Sequence, residues 1–299
     1  MKRLIPNHMV GCVISSHGRN YIVEDPVKNH ISCVAKGHKQ NIVINDRVYY
    51  QMTSVNQGLI TGIESRTSLL YRSDAYHQKM LVANIDQVVA VTAVWPPLYE
   101  SLLSRILLAA EAARVSVLIV LNKTDLPESK EAMPLMQYYE SLGYRLIKYS
   151  MNEPVSCLLN ALSGHTNFLI GQSGVGKSTL LNRLLPNANA RTKEVSETLR
   201  SGRHTTTHST LHHLDAITDL IDSPGLQEFG LAHVPLDELV YAFVEFRPYI
   251  GQCRFNNCLH LIEPGCAVIE AVNNGKIRRS RHELHVRLLT ESGSRSSLY

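Results

Sequence analysis

Residues Gly171-Gln172-Ser173-Gly174-Val175-Gly176-Lys177-Ser178 fit the pattern G-x-x-x-x-G-K-[ST], and Thr179 comes next in the chain. Glycines at those places let successive backbone N–H groups wrap phosphate oxygens, while a helix after the loop points its positive end at the same anion. Lys177 is expected to neutralise β- and γ-phosphates and Ser178 to ligate Mg²⁺. A second tetrad, Asn122-Lys123-Thr124-Asp125, comes directly after an apolar run, Val115 to Leu121. The Asp125 carboxylate can accept both the ring N–H and the exocyclic amino group of guanine, a pair that adenine does not offer. A site built around paired donors strongly rejects the analogue that lacks them. The Asn122 amide can bond the base edge and the Lys123 stem can lie over its ring.

A third motif, Asp222-Ser223-Pro224-Gly225, ends another apolar run. Asp222 is placed to hold Mg²⁺ through water, and Gly225 to offer a backbone N–H to a γ-phosphate where a side chain would intrude. Departure of the γ-phosphate removes that contact and lets the loop relax. Ahead of it lies Gly202-Arg203-His204-Thr205-Thr206-Thr207. A Thr here would complete the Mg²⁺ shell; Thr206 and Thr207 both qualify, and spacing does not choose between them. Guanine-nucleotide proteins normally run P-loop, Thr loop, DxxG and then NKxD, whereas here NKTD precedes the P-loop. Sheet folds tolerate such a permutation when the old termini lie close together. It makes the DSPG loop the last part of the nucleotide unit, wired straight into the C-terminal segment.

That segment carries Cys253-x4-Cys258-x-His260-x5-Cys266. Three thiolates and one imidazole make a closed tetrahedral Zn²⁺ site with no position left for substrate, hence a structural one. Pro264 and Gly265 are expected to turn the chain back onto the metal. Downstream, Lys276, Arg278, Arg279, Arg281 and Arg287 face a single Glu283 and read as a local basic patch. His208, His212 and His213 read as surface or loop residues. Cys12, Cys33 and Cys157 are expected to be ordinary buried residues.

These side chains need elements to hold them. Residues 9 to 72 are short and β-like: Gly11 to Ser15, Asn20 to Glu24, Ile31 to Ala35, Arg47 to Met52 and Leu59 to Glu64 are separated by turn residues. Five such strands suit an N-terminal β-barrel, of which the OB-fold is the commonest that also binds RNA. From about residue 84 apolar strand-like runs alternate with 3.6-period stretches, which predicts an α/β domain with a mostly parallel sheet covered on both faces. Ligands of such sheets sit at the carboxyl ends of the strands. From about residue 235 a helical stretch leads into the Cys/His cluster and then a further helix, with the last eight residues before Tyr299 (ESGSRSSL) expected to be disordered. The division expected is 1–78, 79–233 and 234–299: barrel, permuted P-loop unit, helical zinc-binding domain.

Composition bounds the partners. Lys plus Arg number 30 against 26 Asp plus Glu, for a net charge of +4. That is too little for binding nucleic acid by overall charge, so any such partner must be met by a local patch. No apolar stretch reaches signal-peptide or membrane-span length, and a cytoplasmic protein without a membrane partner is expected. Six Cys in that compartment argue for metal over disulfides.

The set of NKTD at Asn122 to Asp125, GQSGVGKST at Gly171 to Thr179, GRHTTTH at Gly202 to His208, DSPG at Asp222 to Gly225 and CRFNNCLHLIEPGC at Cys253 to Cys266 resembles one family. It is that of the circularly permuted ribosome small-subunit-dependent GTPases (RsgA, also YjeQ), and the resemblance covers almost the whole chain. It implies an OB-fold, a permuted GTPase and a zinc domain. It also implies GTP/GDP with Mg²⁺ and one structural Zn²⁺, and a monomeric factor of late 30S ribosomal subunit maturation that binds 16S rRNA and hydrolyses GTP faster on the subunit. Two positions depart from ordinary GTPases. The base-contacting SAx motif would lie near Ser150-Met151, a partial match. Leu226 comes after Gly225 where many GTPases place a water-orienting Gln, and an apolar side chain cannot align water. Slow intrinsic hydrolysis is therefore expected, helped by His204 in the Thr loop. The competing readings are a P-loop ATPase or kinase, and an RNA-binding scaffold with a vestigial nucleotide site.

Overall fold

The computed structural model describes residues 9–36, 41–73, 78–185, 209–223 and 229–296, with side chains described to 291. Alternating apolar residues build β1 (Met9–His17), β2 (Asn20–Glu24), β3 (His30–Ala35), β4 (Arg47–Ser54) and β5 (Gln57–Ile63). Neighbours pair antiparallel except β3 with β5, which is parallel, and β1 returns to pair with β4. The ring β1-β2-β3-β5-β4-β1 is thus closed, an OB-like barrel. Val13, Val23, Ile31, Val48, Tyr50 and Ile60 fill it. Closure satisfies the strand edges that an open sheet would expose.

A hairpin of β6 (Leu69–Ser73) and β7 (Gln78–Ala83), not expected from sequence, joins the barrel to the larger unit. That unit runs β8 (Gln87–Ala93), α1 (Glu100–Ala112), β9 (Ser116–Asn122), α2 (Ser129–Ser141), β10 (Arg145–Lys148), α3 (Ser156–Leu162), β11 (Thr166–Gly171), α4 (Lys177–Leu184), β12 (Thr210–His213) and β13 (Asp219–Asp222). Strands β10-β9-β8-β11-β13 are parallel, and β12 closes the row antiparallel to β13. All seven residues of β8 are buried, as a strand covered on both faces requires. Its residues alternate between two cores: Val88 and Ala90 pack with α1, Val89 and Val91 with α3 and α4. Helix α3 was missed because seven residues are too few to display a period.

Strand β12 also meets β1, with Ser15 opposite Thr210. Barrel and parallel sheet therefore form one eleven-stranded sheet. Glu24 on β2 and Asp219 on β13 both hold the His213 imidazole between them, and Lys28 donates to Glu24 at 2.7 Å.

The C-terminal part contains α5 (Leu236–Ala242), α6 (Ala267–Asn273) and α7 (Arg279–Ser296). Three expectations are corrected here. Helix α7 runs through most of the tail expected to be disordered, to Ser296. Arg281 is not on a basic surface: it is fully buried, paired with Glu245 and lying over the Phe243 ring at 4.7 Å. Arg278 leans on Glu100 and Tyr138, so Lys276, Arg279 and Arg287 are the exposed members of the run. Of the cysteines outside the cluster only Cys33 is buried; Cys12 is half-buried and Cys157 exposed.

Candidate nucleotide site and metal centre

The parallel strands deliver their motifs to one edge. Strand β9 ends in Asn122, β11 in Gly171 and β13 in Asp222, all at carboxyl ends. Between β11 and α4 the loop turns tightly. A Cβ on Gly171 would stand 2.1 Å from the Val91 carbonyl oxygen, so only glycine lets the loop leave β11 beside β8. Gly176 caps α4 at φ +99°, a left-handed conformation that side chains rarely adopt. Val175 is buried and anchors the loop, Gln172 is half-buried, and Ser173, Gly174, Ser178 and Thr179 are exposed at its mouth.

Lys177 lies along the inside of this loop, 6 % exposed, and its ammonium donates to the Gly171 and Gln172 carbonyls at 2.9 and 2.8 Å. Burial pulls its pKa down to about 8, against the opposing pull of Asp222. Asp222 is also buried, and burial pushes its carboxyl up to about 6, with Lys177 and the Ser223 N–H opposing. Its Oδ1 has no hydrogen-bond partner among the described residues. A buried cation and a buried carboxylate with a spare oxygen, both beside a glycine-rich helix start, are the donor set that phosphate and a hard divalent cation require. Ser223 fixes the strand end by donating to the Leu169 carbonyl at 2.7 Å.

Two of the NKTD side chains also bond the P-loop itself. Asn122 is buried and donates from Nδ2 to the Val175 carbonyl at 2.8 Å, so its amide secures the P-loop. Lys123 reaches the Gly174 carbonyl at 2.9 Å and that of Trp95 at 2.7 Å. Thr124 donates its N–H to the Tyr149 carbonyl at 3.1 Å, which brings the Ser150-Met151 turn alongside. Asp125 is exposed. His204, Thr206, Thr207 and Gly225, with Leu226, lie outside the described residues.

The second centre is separate. The ligand atoms of Cys253, Cys258, His260 and Cys266 all lie within 4.8 Å of one another. His260 Nδ1 is 3.5, 3.6 and 3.4 Å from the three sulfurs in chain order, and the sulfurs of Cys253 and Cys266 are 3.8 Å apart. A tetrahedron with Zn–S about 2.3 Å and Zn–N about 2.05 Å has edges of about 3.8 and 3.6 Å. The four atoms fit it. Supporting residues that spacing did not reveal surround the cluster. Glu263 accepts the N–H groups of Leu259, Leu261 and Ile262. His282 and His285 on α7 bond the carbonyls of His260 and Leu259 at 2.7 and 2.8 Å. Their i, i+3 spacing on a helix was the available signal.

Comparison with known proteins agrees with this geometry. The RsgA GTPase family matches residues 63–232. The small ribosomal subunit biogenesis GTPase RsgA of Paraburkholderia phytofirmans is 46% identical over 293 residues, covering 94% of this chain and 93% of that protein. Its namesake from Nitrosospira multiformis is 43% identical, covering 93% and 90%. Among solved structures, YjeQ from Thermotoga maritima superposes with a TM-score of 0.72 at 30% identity, over 96% of this chain and 99% of its own. YloQ, described as a circularly permuted GTPase, gives 0.70 at 27% identity, over 99% and 98%.

Proposed function

This chain belongs to the RsgA GTPase family, and from that premise we infer that it is a GTPase of small ribosomal subunit biogenesis. The observation that carries the reading is the convergence of P-loop, NKTD and Asp222 on one edge of a parallel sheet, with Asn122 and Lys123 hydrogen-bonded into the P-loop. These bonds support a reading in which base recognition and phosphate binding act as one unit.

In this reading the P-loop N–H groups of residues 171–179 and the α4 N-terminus hold the phosphates. Lys177 leaves the Gly171 and Gln172 carbonyls for β- and γ-oxygens. Ser178 and Asp222 would hold Mg²⁺, which when bound neutralises the charge that develops on the transferred phosphoryl group. Asp125 selects guanine. Thr206 or Thr207 closes the site from the Thr loop, Gly225 contacts the γ-phosphate, and His204 assists water in place of the Gln that Leu226 replaces. Cys253, Cys258, His260 and Cys266 hold a structural Zn²⁺.

The three-part division at 78/79 and 233/234, a monomeric state and a cytoplasmic location complete the proposal; no helix among the described residues is long and apolar enough to cross a membrane. The barrel and the exposed basic residues of the zinc module would bind 16S rRNA. GTP turnover measured alone and with purified 30S or 50S subunits tests the reading. Stimulation by 30S is expected. No stimulation, or stimulation by 50S only, would overturn it.

A further inference from the structure

Arg183 lies in the last turn of α4, the helix that begins with Lys177 and Ser178. Its guanidinium Nη1 donates to the carbonyl of Met151, and its Cζ sits 5.8 Å from the centre of the Tyr149 ring. Both contacts belong to the turn after β10. That turn starts with Tyr149 accepting the Thr124 N–H and donating to the Leu121 carbonyl at 2.8 Å, and Glu153 N–H closes it onto the Ser150 carbonyl at 3.1 Å. The turn therefore adjoins NKTD at Thr124, the neighbour of the exposed Asp125. Tyr149 and Ser150 are buried beneath it, whereas Met151 is 46 % exposed.

Guanine offers two donors, met by a carboxylate, and one carbonyl acceptor at C6 that needs a donor from the protein. The N–H groups of a tight turn beside Asp125 can provide it, but only if the turn is held in place. We propose that Arg183 is a positioning residue for guanine recognition, tethering the 149–153 turn to the phosphate-binding helix so that a turn N–H meets the C6 carbonyl. This rests on the guanine reading of Asp125. Arg183 acts through the Met151 carbonyl and the Tyr149 face. The planar guanidinium suits both tasks, a directional donor and a cation over a ring, in a way an ammonium does not.

The test compares GDP with the diphosphate of 2-aminopurine riboside, which keeps the amino group at C2 and lacks both the C6 oxygen and the N1 proton, so that no C6 acceptor remains for the turn. Wild type should bind GDP the more tightly. Arg183→Ala should weaken GDP binding about tenfold, the value of one hydrogen bond, leave the 2-aminopurine nucleotide within about twofold, and so shrink the ratio by about that tenfold factor. Arg183→Lys should restore only part of it. A variant that weakens both nucleotides equally would make Arg183 a merely structural prop, and unchanged affinity for both would sink the tether outright. If wild type itself binds ADP as well as GDP, the guanine reading fails instead, a result separable from either.

Discussion

Lys177 and Asp222 are two opposite charges taken out of water beside each other's field, and burial moves their pKa values towards one another. Such poised groups mark a functional site when they share a cleft. Lys177→Ala should lower GTP turnover by about 10²–10³, the usual cost of removing one charge-stabilising group, and lower the melting temperature, since the Gly171 and Gln172 carbonyls and the buried Asp222 carboxylate lose their partner. Turnover and thermal melts on the same sample check both halves. Asp125→Asn presents an amide where guanine wants an acceptor pair, so preference should move at least about tenfold from GTP towards xanthosine triphosphate in competition binding. These residues were legible from spacing because phosphate and guanine impose fixed chemistry on a short stretch of chain. The role of Asn122 was not: a side chain that bonds a loop 53 residues away leaves no mark in its own neighbourhood.

At the scale of elements, the zinc knuckle and α7 depend on each other. The metal would order the single stretch 253–266, whose Phe255, Leu259 and Ile262 are exposed, and His282 and His285 clip it to the helix. Cys258→Ser, or prolonged chelation, should release one zinc per chain by elemental analysis and lower the helical signal of the C-terminal part. Retention of full zinc by the Cys258→Ser variant would contradict the cluster. Arg281 is the other fixing point. Breaking a buried pair by removing one partner costs about 3–5 kcal/mol because the remaining charge stays unpaired, so Arg281→Ala should lose stability on that scale in denaturant titrations. Its misassignment to a basic surface has a plain cause. Charge is visible in a sequence, but the phase of a helix against its neighbours is not, and only the partner Glu245 decides which arginine turns inward.

Across the whole molecule, the β12–β13 hairpin is the bridge: it carries the DSPG start at Asp222, pairs with barrel strand β1 through Thr210 opposite that same residue, and reaches Glu24 of β2 through His213 at its other end. The Asp219 hydrogen bond raises the His213 pKa, with burial opposing and Glu24 adding to the rise while Lys28 reduces it. Burial pushes Glu24 up, but its bonds from Lys28 and His213 outweigh that and hold it below its ordinary value. The signs are opposite in pH. The His213 contribution is complete below its unfolded value of about 6.5 and fades as pH rises through the higher folded one; that of Glu24 is complete above about 4.3 and fades as pH falls through the lower folded one. The junction is thus strongest at mildly acidic pH. Glu24→Gln should flatten the decline in melting temperature between about pH 6 and 8 relative to wild type, and identical slopes would show that the cluster does not support the junction.

By itself the sequence determined the family, its nucleotide motifs, the Cys/His cluster and their order, because motif chemistry and short-range periodicity are written within a few residues. Tertiary structure decided what those parts hold on to: Asn122 in the P-loop, Arg281 in the core, Arg183 on the Met151 turn and His213 between two carboxylates. Each of those contacts joins residues at least 32 positions apart, except the ring pair of His213 with Asp219. Long-range partners are chosen by how elements pack, and packing is a property of the closed sheet and its layers, not of any one stretch of chain.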